Sequence, residues 1–209
     1  MQSDCQFEQQ ASSGLSSATS SLENLTLLEG ARCSTDLSKV TDNQIQDILS
    51  SQCDSEFTFR LLRRDDYGRG IMNVLGQLTI VGDVTQEAFE KQFEWMFPLH
   101  KDTYHIVVIV DNKLDKIIGS GSLIMERKFL RSTGNCGHIE DVAVDSTYRG
   151  KKLGIRLIAT LRDIASRALG SYKVTLDCAE HNVKFYEANG FKIKGTQMAW
   201  YREGEKQKL

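Results

Sequence analysis

Residues 57–62, Phe-Thr-Phe-Arg-Leu-Leu, alternate between apolar and polar and then break at Arg63-Arg-Asp-Asp, the pattern of a strand entering a turn. Before them the chain is rich in Ser, Gln, Asn and Thr, with Leu22, Leu25, Leu27 and Leu28 as its main apolar cluster. Residues 1–55 are therefore expected to be largely disordered, a solvated tail dispensable for activity, with the folded domain over 56–203 and a short polar tail at 204–209. One exception is allowed within the tail: Ile45, Ile48 and Leu49 share a helical face behind a cap at Asp42, which predicts a turn or two of helix over 42–50. Helical spacing recurs over 71–81 and 86–97, with Pro98 ending the second run. The β-branched run at 104–110, the turn at 111–115 and the apolar stretch 117–125 read as a hairpin. Residues 137–144 make the next strand.

The longest periodic run follows. Leu153, Leu157, Ile158, Leu161, Ile164, Ala165, Ala168 and Leu169 fall on one face of a helix of about five turns, with Gly170 as its C-cap. A strand at 172–178, a short helix at 182–189 ended by Gly190, and a hairpin-like pair over 191–202 complete the chain. Strands and helices mixed in this order predict an α/β fold with a mixed central sheet flanked by helices.

A formal net charge of −2 over 209 residues gives no footprint of a nucleic-acid binder or a membrane-surface protein, so a small ligand is expected. Cys5, Cys33, Cys53, Cys136 and Cys178 show neither CxxC nor zinc-type spacing and read as free thiols in a reducing compartment. The first residues lack a basic stretch followed by an apolar run, and apolar runs such as 106–110 are too short for a bilayer, so a cytoplasmic protein is expected. His138 and His181 invite a metal reading, but nothing in the sequence supplies further ligands, and no metal is assigned.

Between the strand ending at Val144 and the long helix lies Arg149-Gly-Lys-Lys-Leu-Gly. A helix N-terminus offers unpaired N–H groups and partial positive charge, so this turn can seat a diphosphate or serve structure alone. It has neither a Walker loop nor a dinucleotide fingerprint. The strand, turn and amphipathic helix resemble motif A of the GNAT acetyltransferases, whose pattern is Arg/Gln-x-x-Gly-x-Gly/Ala. Arg149 and Gly154 fit its ends, while Lys152 stands where the central glycine is expected. Glu126-Arg-Lys, Cys136-Gly-His-Ile-Glu-Asp-Val-Ala-Val, Tyr172-Lys-Val-Thr-Leu-Asp-Cys and Asn182-Val-Lys-Phe-Tyr-Glu narrow the resemblance to the members that acetylate glucosamine 6-phosphate.

The resemblance implies a GNAT acyl-CoA N-acyltransferase fold, acetyl-CoA as donor, glucosamine 6-phosphate as acceptor in a ternary complex on the way to UDP-N-acetylglucosamine, and a homodimer with shared sites. Glu140, by itself an exposed strand-edge acid, becomes the base, and the Val142 amide the carbonyl-oxygen donor at a bulge. Tyr186 becomes the proton donor to the departing thiolate. Asp177 either orients the amine or merely forms a turn. Coenzyme A would lie along Val142, Ala143 and Val144, the turn Arg149, Gly150, Lys151, Lys152, Leu153, Gly154 and Ile155, and Asn182 with Tyr186. The sugar phosphate would meet Thr79, Lys128, Phe129, Leu130, Arg131, Glu140, Asp141, Tyr172 and Lys173, the last two from the partner chain, with Arg202 near the C-terminus. Strand alternation points Asp141 away from Glu140, so no carboxylate dyad is expected. Two other readings compete. A transferase for protein or polyamine amines calls for an acidic groove where Lys128 and Arg131 stand. A non-catalytic acyl-CoA-binding regulator would not need Glu140 and Tyr186 together.

Overall fold

Ile45, Ile48 and Leu49 are buried, Leu49 to 1% exposure, and they join Phe57, Phe59 and the residues of the long helix in one apolar cluster. The computed structural model describes residues 37–97 and 99–203, and its compact unit begins at Leu37, earlier than the boundary near Glu56 that composition suggests. The helix α1 spans Leu37–Ser50. It forms because three apolar residues at i, i+3 and i+4 find a core to cover, and burial of each contributes roughly 1.5–3 kcal/mol. Cys5, Cys33, Pro98, the expected disorder over 1–36 and the tail 204–209 lie outside the described residues.

The strands β1 (Phe57–Leu61), β2 (Tyr104–Asp111), β3 (Lys116–Arg127), β4 (Asn135–Val144) and β5 (Ser171–Leu176) form one sheet in chain order. All neighbours are antiparallel except β4 and β5, which run parallel and are joined by a helical crossover, as parallel pairing requires. The short helix α2 (Ile71–Leu75) and α3 (Gln86–Met96), capped by Thr85, cover one face with Phe89, Val108, Val110 and Ile117. Ahead of β4 sits the short turn α4 (Leu130–Thr133). The opposite face is covered by α1 and by the crossover helix α5 (Leu153–Asp163), which continues as a π-helical turn over Ile164–Ala168. A last short helix, α6 (Val183–Glu187), follows β5. The mixed sheet flanked by helices is the expected architecture. No helix among the described residues is long and apolar enough to cross a membrane.

Two expectations are corrected. The helix predicted over 71–81 stops at Leu75, because Gly76 ends it and residues 78–80 are exposed. No hairpin forms over 191–202: the segment carries no ladder, and Ile193, Met198 and Trp200 are 72%, 93% and 88% exposed. Its alternation suits a strand, but no ladder joins it to edge β5; just past that strand, Gln197 Nε2 donates to Asp177 Oδ2 at 2.9 Å.

Candidate active site

The ladder between β3 and β4 is regular until Ser122 pairs with Glu140, and it resumes where Ser120 pairs with Ala143. Two residues of β4, Asp141 and Val142, thus stand against one residue of β3, which defines a bulge, and Asp141 adopts φ 51° to make it. On the other side, pairing with β5 ends at Ile139 and Leu176, so β4 runs on from Glu140 to Val144 without a ladder partner there. The backbone groups along that edge are available to an extended ligand lying beside the strand.

Glu140 sits where the ladder opens. Partial burial raises its pKa first, and the carboxylates of Asp177 and Asp141 raise it further, against a smaller opposing effect of His138. A proton-accepting group is poised by this combination. The bulge breaks the regular alternation on which the separation of Asp141 from Glu140 was argued, and Asp141 acts on Glu140 through its charge. Val142 and Val144 pack against the α5 side of the core, and Ala143 against the α2 side.

The turn after β4 is fastened from several directions. Asp145 caps it by accepting from Thr147 N and Oγ1 at 3.0 and 2.7 Å. Tyr148 Oη donates to Asp111 at 2.6 Å, and that bond, with burial, pushes the phenol up to about 12. Lys151 reaches Glu56 at 2.6 Å and covers the Phe57 ring. Gly150 has φ 84°, and Lys152, at the N-cap of α5, has φ 57°. Lys152, at the position where the resemblance expects a glycine, thus takes a left-handed conformation at a local cost of about 1–2 kcal/mol. Arg149, Gly150, Lys151 and Lys152 are exposed, Leu153 is buried in the core, Gly154 is half-buried, and Ile155 is 38% exposed.

A Cβ at Gly154 would stand 3.2 Å from the Phe185 ring. Gly154→Asp would also place a carboxylate among the N-terminal amides of α5. Affinity for acetyl-CoA is expected to fall by about tenfold or more, with sugar phosphate affinity little changed. Titration calorimetry decides it: an unchanged dissociation constant for acetyl-CoA would mean that the diphosphate is held elsewhere.

Beyond β5 a cleft of about 1030 Å³ has Tyr172, Lys173, Asp177 and Tyr186 among its walls, with residues 191–197 opposite. Glu140 is not one of them, so the sequence-predicted catalytic residues are divided between the open β4 edge and this cleft. Tyr186 is half-buried, stacked edge-on with Phe185 and Phe191, and its pKa is raised by burial first and by Cys178 second, which keeps its proton in place. Asn182 is exposed at the N-cap of α6, four residues before Tyr186.

The phosphate candidates are scattered. Lys128 is bound to Glu126 at 2.5 Å, and this partner raises its pKa. Arg131 lies over the Tyr172 ring at 5.9 Å, in the turn α4, where Arg131, Ser132 and Thr133 all have positive φ. Phe129 and Leu130, 98% and 71% exposed, lead into that turn. Thr79 is exposed in the loop after α2, and Lys173 and Arg202 are exposed. Sequence reading missed the polar network beneath the site, in which His138 bridges Glu126 at 2.9 Å and Thr175 at 3.2 Å. Alternation shows that Cys136 and His138 share a face, but only the strand register brings Glu126 to them.

A profile of the acetyltransferase (GNAT) family matches residues 63–191. A glucosamine 6-phosphate N-acetyltransferase 1 of Dictyostelium discoideum is 48% identical over 153 residues, 73% of this chain and 96% of that protein. The glucosamine 6-phosphate N-acetyltransferase of Arabidopsis thaliana is 43% identical over 145 residues, 69% of this chain and 96% of its own. The crystal structure of the Arabidopsis thaliana enzyme superposes with a TM-score of 0.67 at 43% identity, over 69% of this chain and 97% of that one.

Proposed function

The chain belongs to the GNAT acetyltransferase family, and from that membership we propose that it transfers the acetyl group of acetyl-CoA to the amine of glucosamine 6-phosphate within a ternary complex, giving N-acetylglucosamine 6-phosphate. The observation that carries this reading is 48% identity across 96% of a relative with that name. The open edge of β4, the bulge and the α5 turn supply the local chemistry.

In this mechanism Glu140 takes a proton from the substrate ammonium, directly or through water, and the freed amine attacks the thioester carbonyl carbon. The Val142 amide at the bulge donates to the carbonyl oxygen as it becomes negative. As the C–S bond breaks, Tyr186 gives its phenolic proton to the sulfur, and the second proton lost by the attacking nitrogen passes through water to restore the phenol. Asp177 orients the amine and Asp141 holds sugar hydroxyls. Residues 149–155 hold the diphosphate, the 142–144 edge and Asn182 the pantetheine arm. Lys128 and Arg131, with Phe129, Leu130, Thr79 and Arg202, gather the sugar phosphate. Such a product feeds UDP-N-acetylglucosamine synthesis.

The phosphate is the discriminating group. Cations arranged for it lose their partner when it is missing, so kcat/KM for unphosphorylated glucosamine is expected to be about 100-fold lower or less still. A substrate panel with acetyl-CoA checks this, and equal turnover of the two sugars, or faster turnover of spermidine, refutes the assignment.

We further propose a homodimer in which Tyr172 and Lys173 of one chain help complete the partner's site. Supporting it, Tyr172 on edge strand β5 and Ile193, Met198 and Trp200 in the segment that follows α6 are exposed apolar side chains that a second copy would cover. Light scattering at assay concentration is expected to give twice the chain mass. A fully active monomer removes the claim.

A further inference from the structure

Cys136 and His138 are two residues apart on β4 and so leave the sheet on the same side, and Glu126 is the direct cross-strand partner of Cys136 on β3. The carboxylate of Glu126, the thiol of Cys136 and a ring nitrogen of His138 all lie within 4.8 Å of one another. Thiolate, imidazole and carboxylate are the three donor types zinc selects, and three protein ligands with one position left open is the arrangement of an accessible zinc site. We propose that Glu126, Cys136 and His138 form a binding site for a soft divalent cation of the zinc class, separate from the acetyl-transfer groups, and that its occupation inhibits the enzyme.

The geometry needs little movement. Ligand atoms at zinc distances around a tetrahedron are roughly 3.3–3.8 Å apart. His138 Nε2 and Glu126 Oε2, at 2.9 Å, must open slightly, and the sulfur must approach by about an ångström. Cys136 is fully buried, whereas the side chains of Glu126 and His138 are 43% and 39% exposed, so an ion enters over the carboxylate and imidazole and meets the thiol at the bottom. The Thr175 hydroxyl, 3.2 Å from His138 Nδ1, can accept as readily as donate. It therefore fixes the ring whichever nitrogen carries the proton, the outer support that ligating histidines require. Lys128 holds Glu126 Oε1, so Oε2, which already faces His138 Nε2, is the oxygen offered to an ion. On binding, the Cys136 thiol proton passes to solvent, and the ligating imidazole carries its N–H on Nδ1, facing the Thr175 hydroxyl.

The inhibitory half rests on the function proposed above. A dication held by Glu126 shares that carboxylate with Lys128 and repels its ammonium at the start of the phosphate loop.

The test uses the full chain and its Cys136→Ala variant, which keeps the other four cysteines. Cadmium titrated without coenzyme A is expected to produce the ultraviolet thiolate-to-metal band at one equivalent in the wild type and none at that site in Cys136→Ala. Thr175→Val is expected to weaken binding by about 10- to 100-fold. If alanine destabilises the fold, Cys136→Ser, close in volume, carries the same readout. Zinc should suppress acetyl transfer by the wild type, reversibly with chelator, and spare Cys136→Ala in a parallel assay, where capture of zinc by product thiol is common to both. A band of equal size in the variant, or none in the wild type, overturns the site. A band confined to the wild type with activity untouched by zinc overturns the inhibition. Because the band needs no turnover, failure of the site is distinguishable from failure of the assigned reaction.

Discussion

Tyr186→Phe is expected to lower kcat by about 100-fold or more and to leave the affinities for acetyl-CoA and glucosamine 6-phosphate near their wild-type values. The ring and its edge-on contacts with Phe185 and Phe191 survive the change, so packing is kept and only the O–H is lost. Burial holds the phenol protonated, and a thiolate expelled into a half-buried cleft is the species that O–H would stabilise. Glu140→Gln gives a second signature. Because burial, Asp177 and Asp141 raise the Glu140 pKa, the wild-type rate is expected to decline as pH falls through that raised value and the proposed base becomes protonated. The glutamine variant loses that inflection, and its deficit shrinks at alkaline pH, where the amine is already neutral. Steady-state and single-turnover kinetics across pH check both. Full kcat in Tyr186→Phe, with chemistry shown to be rate-limiting, makes Tyr186 a packing residue.

The second large effect concerns stability. Deletion of the chain up to Ser55 removes Ile45, Ile48 and Leu49 from the core and is expected to leave a domain that is unfolded, or nearly so, at 37 °C. Leu49→Ala alone should cost about 2–5 kcal/mol, a large share of the roughly 5–15 kcal/mol available to a typical domain. Urea unfolding of Leu49→Ala, together with circular dichroism of the deleted chain, measures it. A truncated protein with wild-type Tm and activity would restore the view that these residues are dispensable.

That view comes from composition, and the burial of Ile45, Ile48 and Leu49 shows what a single sequence conveys and what it leaves out. The central helix was legible because its apolar face repeats over many positions, and the turn before it because glycines and cations cluster at a helix start. The α1 helix was half legible: its three apolar residues were visible, but Ser, Asn, Asp and Gln around them mask a helix stabilised by tertiary contact. The bulge at Asp141 was not readable from strand alternation, because an extra residue leaves the apolar pattern of β4 nearly intact. The 191–202 segment alternates like a strand, yet alternation specifies a face and not a neighbour. Likewise Glu126 belongs with His138 only once β3 and β4 are in register.

The first turns of α5 carry two duties at once. Their N–H groups face the diphosphate turn, while Arg156 binds the Gln52 carbonyl and the Asp54 carboxylate at 2.9 Å and lies over the Phe59 ring at 4.8 Å. Lys151, one residue before the N-cap, is tied to Glu56 in the same way. The proposed donor site and the junction between α1 and β1 are therefore tied through the same helix end, and linkage would make their free energies reciprocal. Whatever tightens the junction steadies the helix end proposed to meet the donor, and a donor bound there is expected to protect the junction from opening in turn. Residues remote from the acetyl group thereby acquire leverage over how tightly it is presented.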